Sequence, residues 1–403
     1  MMIAMKGTKA AKTVDYIGAW FWKGAKYIKG TKARYAFVST NSISQGEQVA
    51  MLWKPILDLG LEIFFARTSF KWSNNAKHNA AVTVAIIGVQ NKCQSAKYLF
   101  DESLHTRLQV KSINPYLVDA EDIIVKKCTK PLGNVPSMNF GNQPIDGGGF
   151  SLTDNDLRKL ESNNDIALQY VKNYIGSYEF INDIKRYCLW INELAPDELN
   201  KSPFIISRLK IIQNERLKSN RAETIKLAAT PNKFAFISYK PTDAILVPSV
   251  SSERREYIPI GYVGPDTIIS NLAFAVYDAE KWLFALLTSK MHNLWVRAVG
   301  GSLETRIRYS ATLCYNTFPF PKLTEAQKKE LSILADNIIT VREEEYELTL
   351  GKMYNPETMP EDLRKAHHQL DLAVERIYRP EPFASDEERL AHLFKLYAKM
   401  TKK

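Results

Sequence analysis

Cysteine is scarce in this sequence, and none of it is arranged to bind a metal. The four cysteines are scattered without a CxxC pair, and the six histidines lack the spacing of metal ligands. We therefore expect no metal site and no disulfide framework. Reduced, buried thiols are the simplest interpretation, and they indicate a cytoplasmic protein.

Long hydrophobic runs are also missing. The N-terminus shows no apolar segment followed by a cleavage site of small residues. The longest uncharged apolar run, residues 80–89, is about half the length that a membrane span requires. The sequence therefore predicts neither secretion nor membrane insertion, and it contains no internal repeat and no low-complexity segment.

The chain does carry an excess of positive charge, and that excess is concentrated in one third of it. The formal net charge is +10 over 403 residues. Residues 201–322 alone hold nine lysines and eight arginines against six glutamates and three aspartates, a net charge of +8. A basic excess confined to one part of a chain favours an anionic partner over a role in solubility.

The first 112 residues show the pattern of an α/β unit. Helical periodicity alternates with short apolar segments, which predicts helices at 14–28 and 44–53 and strands at 35–39, 62–66 and 80–89. Ser44, with Glu47 three residues later, is predicted to be the N-cap of the second helix. We expect a parallel, Rossmann-like sheet. Three strands are fewer than the roughly five of a complete doubly wound sheet, so the unit is interpreted as the second half of such a domain, with one exposed edge.

Two aromatic residues interrupt the polar loop predicted at residues 69–77. In a Rossmann-like sheet, the loops at the carboxyl ends of the strands line the ligand crevice. Phe70 or Trp72 could therefore present a flat face to a bound base. The alternative is that both rings are core residues that plug the edge of the sheet.

The rest of the chain divides into two further parts. A proline and a change of pattern at residues 112–125 predict a domain boundary. Short helices and short strands then alternate as far as residue 322, which predicts an α+β domain over 113–322. Residues 323–403 are predicted to be helical, and Thr324 with Gln327 has the spacing of a capping box.

Residues 289–321 combine arginines with aromatic residues and contain a single acid, Glu304. The arginines in and upstream of this stretch are Arg254, Arg255, Arg297, Arg306 and Arg308. The aromatic residues are Trp295, Tyr309, Tyr315, Phe318 and Phe320. Arginine can bind phosphate or guanine, a carboxylate can accept from the amino group of cytosine, and aromatic residues can hold such a surface rigid. The alternative is that the arginines and tyrosines form the solvated face of an ordinary sheet.

Several blocks of the sequence resemble the C-terminal portion of MmeI-like single-chain type II restriction-modification enzymes, which fuse an adenine-N6 DNA methyltransferase to a target-recognition domain. The blocks include AFVSTNSISQGEQV (36–49), FKWSNNAKHNAAVTVAIIGV (70–89), INPYLVDAEDI (113–123), EFINDIKRYCLWI (179–191) and PSVSSERREYIPIGY (248–262). The resemblance implies a partial class I methyltransferase domain over 1–112, a recognition domain over 113–322 and a helical domain over 323–403. It also implies double-stranded DNA as partner and S-adenosylmethionine as cofactor, without a metal.

The resemblance assigns roles to the residues singled out above. Phe70 and Trp72 become candidates for stacking on an extruded base. Glu304 and Arg306, which share a face if their segment is extended, become candidates to read one C·G pair, whereas the alternative is a solvent-exposed salt bridge between them. The residues expected to contact the DNA backbone are Arg254, Arg255, Arg297 and Arg308.

The sequence departs from the family pattern in the first domain. Neither the Gly-rich cofactor loop nor the Asn-Pro-Pro-aromatic tetrapeptide of these enzymes is present, and no nuclease motif is found. We therefore expect no catalytic residue in this chain, which would be inactive alone and would need a separate chain carrying the missing methyltransferase half. The alternatives are a non-catalytic DNA-binding specificity subunit, the remnant of a truncated gene, or a general nucleic-acid binder.

Overall fold

The computed structural model describes residues 14–72, 82–101, 106–303 and 305–402. Mixed α/β structure occupies the N-terminal part, three small sheets with intervening helices form the middle, and helices form the C-terminal part. We call these parts the α/β domain, the middle domain and the C-terminal domain. Within the described ranges, no helix has the length and apolar character needed to cross a membrane.

The α/β domain is a five-stranded sheet with two helices. Its elements are α1 (Tyr16–Ile28), β1 (Tyr35–Thr40), α2 (Gly46–Leu57), β2 (Leu61–Trp72), β3 (Val82–Asn91), β4 (Lys97–Asp101) and β5 (Thr106–Val110), in the strand order β1-β3-β2-β4-β5. Phe21 of α1 packs edge-on against Phe37 of β1 and Trp53 of α2. These three rings attach both helices to the sheet.

The expectation of a parallel sheet is wrong. In the described part of this sheet, β2 and β4 are the only parallel pair, and β3 lies antiparallel between β1 and β2. The helical connection through α2 does leave β1 and β2 running in the same direction, as a crossover requires. The apolar pattern of β3 does not indicate its direction, because a strand that is buried on both faces is apolar whether it pairs in parallel or antiparallel.

Two local predictions in this domain also fail. Ser44 does not cap α2: it ends a short 3-10 turn (Asn41–Ser44), and Gln45 occupies the N-cap position without a capping hydrogen bond from its side chain. Gly46, with φ of +60°, turns the chain where the helix begins. The predicted loop at 69–77 is part of β2 as far as Trp72, and residues 73–81 lie outside the described residues.

The middle domain consists of short elements. Its strands are β6 (Asn139–Phe140), β7 (Ser151–Leu152), β8 (Val171–Ile175), β9 (Tyr187–Leu189), β10 (Ala244–Pro248), β11 (Val250–Ser251), β12 (Gly261–Val263), β13 (Thr267–Ile269), β14 (Ala273–Tyr277), β15 (Gly301–Leu303) and β16 (Arg306–Arg308). Its helices are α3 (Asp154–Ser162), α4 (Ser177–Asn182), α5 (Pro196–Leu199), α6 (Pro203–Leu217), α7 (Ala222–Lys226), α8 (Lys281–Thr288) and α9 (Lys290–Val299). The strand orders are β12-β10-β14-β6, β13-β8-β9-β7 and β11-β16-β15.

The C-terminal domain is helical, as predicted. Its helices are α10 (Glu325–Glu344), α11 (Leu350–Met353), α12 (Glu361–Tyr378) and α13 (Asp386–Thr401). The capping box of Thr324 and Gln327 is present at the start of α10. Trp295 of α9 packs against Phe394 and Tyr397 of α13. One continuous apolar core runs from α1 through α8 and α9 to α13, so the three domains share their interior.

Strand β1 is one of the two edges of the five-stranded sheet, and β5 is the other. Among the described residues β1 pairs with β3 alone, and Val38 on its uncovered face is 44% exposed. An edge strand with free backbone groups and apolar side chains is a template for pairing with another chain.

We expect the isolated chain to self-associate through β1, and Val38→Lys to reduce that association because a charge on an edge strand opposes pairing. Sedimentation velocity across a concentration series measures this. Tyr346→Lys is the control, since Tyr346 is 83% exposed and lies in the C-terminal domain. A wild-type chain that stays monomeric at every concentration contradicts the prediction.

Candidate nucleic-acid interface

Two arginines of the basic stretch lie on an exposed strand. β16 pairs with β15 on one side and with β11 on the other. Arg306 and Arg308 are exposed, whereas Ile307 between them is buried. Because alternate side chains of a strand point to opposite faces, both guanidinium groups are presented on one face. We call β15 and β16 the arginine hairpin.

The aromatic residues of this stretch are buried, and we call them the platform. They are Trp295, Tyr309, Tyr315, Phe318 and Phe320. The backbone N–H of Tyr309 donates to the carbonyl of Ser249 at 2.9 Å, and its hydroxyl lies 2.9 Å from Nε2 of His292. Burial lowers the pKa of His292 to about 3. The imidazole is therefore neutral at physiological pH and supports Tyr309 without carrying charge.

Arg297 lies beneath a neighbouring loop. Its guanidinium donates to the backbone carbonyls of Glu253, at 3.1 Å, and Arg255. Burial lowers the pKa of Arg297 from its ordinary value. The side chain therefore holds the loop that carries Arg254 and Arg255, and any effect on a ligand passes partly through that loop.

The two loop arginines differ in their surroundings. Arg254 is exposed and forms an ion pair with Glu357 of the C-terminal domain. Arg255 is partly buried, which lowers its pKa, and its Nη1 lies 3.4 Å from Oγ of Ser251, a residue paired with β16. The loop is thus tied on one side to the C-terminal domain and on the other to the sheet of the hairpin.

Phe70 and Trp72 lie at the end of β2. Phe70 is half-buried, and its ring has the guanidinium of Arg67 over it at 5.0 Å. Trp72 is 44% exposed, and its ring centroid lies 6.4 Å from that of Phe70. Both rings therefore belong to a strand end.

The fold brings Phe70 together with Gly301, Ser302 and Ile307 of the arginine hairpin in the lining of one cleft of about 360 Å³. The α/β domain contributes Asn41, Gln45, Phe70 and Thr83 to it. The middle domain contributes Arg297, Ser302, Thr305 and Ile307, among others. This volume lies within the range of small-molecule pockets, so the cleft can admit a group of the size of a nucleobase.

Sequence reasoning missed Asn41 and Gln45. The signal was the polar turn that directly follows the strand at 35–40, because polar residues at a strand end commonly line a crevice. Glu304 lies outside the described residues, so its joint use with Arg306 stays a prediction. In the described part of the chain, no group of three or more histidine, cysteine or acidic side chains could hold a metal ion.

The N-terminus of α9, the helix that leads into the hairpin, is held by a buried carboxylate. Oδ1 of Asp371 accepts from the backbone N–H of Lys290 at 2.6 Å, and Oδ2 accepts from the hydroxyl of Tyr257 at 2.6 Å. Burial is the largest effect on Asp371 and raises its pKa to about 7, although both hydrogen bonds oppose the shift. Asp371 thus joins α12 to the middle domain.

Fold and site together define a class of modular protein. An α/β domain and a basic, β-rich domain line a shared cleft next to the arginine hairpin, and a helical domain packs against both through the common core. Models of three domains match nearly the whole chain: the MmeI DNA-methyltransferase domain over residues 1–101, the MmeI target recognition domain over 119–322 and the MmeI C-terminal domain over 323–403. The chain belongs to the MmeI family of restriction-modification methyltransferases.

Two relatives support this assignment. DNA methyltransferase A of Bacillus subtilis (strain 168) is 48% identical over 398 residues, which is 98% of this chain and 45% of that protein. The type IIL restriction-modification enzyme MmeI, solved in complex with DNA, is 41% identical with a TM-score of 0.90, over 99% of this chain and 54% of that one. The chain therefore spans about half the length of these relatives.

The buried carboxylate predicts how stability depends on pH. The pKa of Asp371 is raised in the folded protein, so the folded state keeps a proton on this carboxyl at pH values where the unfolded state has lost it. The stabilisation of the folded state by this proton is fully present below about pH 4 and is lost as the pH rises through about 7. Between these values, the free energy of unfolding should fall with pH by up to about 1.4 kcal/mol per unit more than in Asp371→Asn. Denaturant unfolding of both proteins from pH 5 to 8 measures the difference. Parallel pH profiles contradict this role of Asp371.

Proposed function

We propose that this chain is the DNA-reading and base-extruding part of a site-specific adenine-N6 DNA methyltransferase of a restriction-modification system. The middle domain reads the duplex, and the cleft receives the target base. The observation that carries the proposal is that Phe70 and residues of the arginine hairpin line one cleft.

The energetics of base extrusion favour this use of the cleft. Removing a base from the stack costs a few kcal/mol, and stacking on an aromatic ring recovers about 1 to 3 kcal/mol of it. Phe70 is half-buried at the wall of the cleft, whereas Trp72 is more exposed beside it. Phe70 is therefore the better candidate for stacking, and Trp72 supports it from the side.

The charge distribution and the relative solved with DNA support a duplex as the partner. Arg306, together with Glu304, is proposed to read a C·G pair in the major groove. Arg308, on the same face, and Arg254, in the adjoining loop, are proposed to contact phosphates. Arg255 and Arg297 are partly buried, so we propose that they hold the loop from which Arg254 contacts the DNA backbone.

The family implies S-adenosylmethionine as the methyl donor. The side chains that the α/β domain brings to the cleft are two amides, a hydroxyl and a phenyl ring, and the carboxylate in the lining, Glu253, belongs to the middle domain. The α/β domain therefore offers the cleft no carboxylate of its own to hold the ribose of the cofactor. We place its main binding loop and the catalytic residues outside this chain, and we derive no step through it.

The alternative is a DNA-binding specificity subunit without catalysis, and binding experiments on the chain alone separate reading from general affinity. Selection from a pool of duplexes with a randomised centre should give one preferred sequence. A wrong base within it should cost about 1 to 3 kcal/mol. A steep salt dependence with no preferred sequence would instead assign the chain to general polyanion binding.

The arginine hairpin should determine one position of the selected site. We expect Arg306→Asp to change the preferred base at a single position, because a guanidinium that donates to guanine is replaced by an acceptor. Glu304→Lys should alter the same position. Arg308→Ala is the matched control on the same strand, and it should weaken all sequences about equally. If Arg306→Asp also weakens all sequences equally, its role is backbone contact.

Phe70 should affect methylation more than binding. In the chain completed with the methyltransferase portion of its longer relatives, we expect Phe70→Ala to slow methylation by about tenfold or more, because stacking on the extruded base is lost. Duplex affinity should change little. Phe70→Tyr keeps a stacking ring and should restore the rate. An equal loss of rate and affinity in Phe70→Ala contradicts a stacking role.

A further inference from the structure

Two adjacent residues at the start of α2 connect the α/β domain to the arginine hairpin and to the turn that precedes it. Oε1 of Gln45 accepts from the hydroxyl of Ser302 at 2.8 Å, and the backbone N–H of Gly46 donates to the carbonyl of Gly300 at 3.1 Å. Residues 45 and 302 are 257 positions apart in the chain. The contact is therefore a tertiary link between the domain that carries Phe70 and the hairpin that carries Arg306.

Gln45 is available for this link because it does not serve its own helix. It occupies the N-cap position of α2 with extended backbone, yet its side chain makes no capping hydrogen bond. The first N–H of a helix lacks an intrahelical acceptor. The Gly300 carbonyl supplies that acceptor to Gly46, so the turn before the hairpin takes part in capping α2.

The hairpin end of the link is closely packed. A Cβ on Gly300 would lie 2.4 Å from the carbonyl oxygen of Val296 and 3.2 Å from Sγ of Cys314, so this position has no room for a side chain. Ser302, two residues further on, pairs with Ile307, the residue between the two exposed arginines. A displacement of Ser302 is therefore transmitted directly to the strand that carries them.

Gln45 also lines the cleft in which Phe70 lies. We propose that Gln45 is a positioning residue, which sets the arginine hairpin relative to the base-receiving cleft through Ser302 and so makes sequence discrimination depend on the α/β domain. This inference rests on the proposed function. Gln45 acts through the hairpin and needs no contact of its own with the bases.

The test compares discrimination with general affinity in the full chain. We expect Gln45→Ala to reduce the preference for the selected duplex over its single mismatch at the hairpin-read position by about threefold to tenfold, the size of one hydrogen bond. Affinity for a random duplex should fall by a smaller factor than the preference, because the exposed arginines remain in place. Ser302→Ala should have the same effect, and the double variant should lose no more than either single one.

Two further variants separate positioning from simple damage. Gln45→Glu keeps the acceptor for Ser302, so it should restore the preference even if the added charge lowers overall affinity. Gln48→Ala is the matched control, because Gln48 lies in the first turn of α2 and accepts from the backbone N–H of Asp15, at 3.1 Å, rather than from the hairpin. It should leave the preference unchanged.

Three results would overturn the inference. If Gln45→Ala discriminates as well as the wild type, Gln45 does not position the arginine hairpin, and the proposed function is unaffected. The same holds for a uniform loss at every position together with a lower Tm, which is the signature of a structural defect. A wild-type chain that selects no sequence overturns the proposed function and this inference together.

Discussion

An isolated hairpin of two three-residue strands is at best marginally stable in water. The positions of Arg306 and Arg308 therefore depend on the residues that pack beneath the hairpin. The burial of Tyr309 supplies that support. Its ring lies in the core, its hydroxyl meets a neutral imidazole, and its backbone is bonded to Ser249. A surface that reads bases must keep its donors within a few tenths of an ångström, and a rigid aromatic layer provides this at low cost in entropy.

Helix α9 connects this support to the rest of the molecule. Its first residue is held by Asp371 of α12, its Trp295 packs on α13, and its last turn enters Gly300 and the hairpin. The C-terminal domain thus supports the arginine hairpin through α9, although the cleft that contains Phe70 is lined by the other two domains. Since one apolar core includes α1, α9 and α13, the relative positions of the domains follow from shared packing rather than from their connecting segments alone.

Much of the fold followed from patterns of short range. The helices of the C-terminal domain and the box at Thr324 were predictable because capping and amphipathic periodicity act within a few residues. The same reasoning failed at Ser44. There the choice of cap depends on the left-handed turn at Gly46 and on an acceptor from Gly300, and neither is visible in the local sequence. Strand direction failed for a similar reason, since β3 pairs with partners that its own composition does not specify.

The sequence by itself determined the family, the basic character of the middle domain and the aromatic residues of the platform, because long blocks of residues, net charge and apolar content are properties of the chain. Tertiary structure alone decided which arginines are exposed. Arg306 lies on a surface strand, whereas Arg297 bonds to carbonyls more than 40 residues away. It also decided that Phe70 and Ser302 share a cleft, since residues so distant in the chain meet only when the whole core has packed.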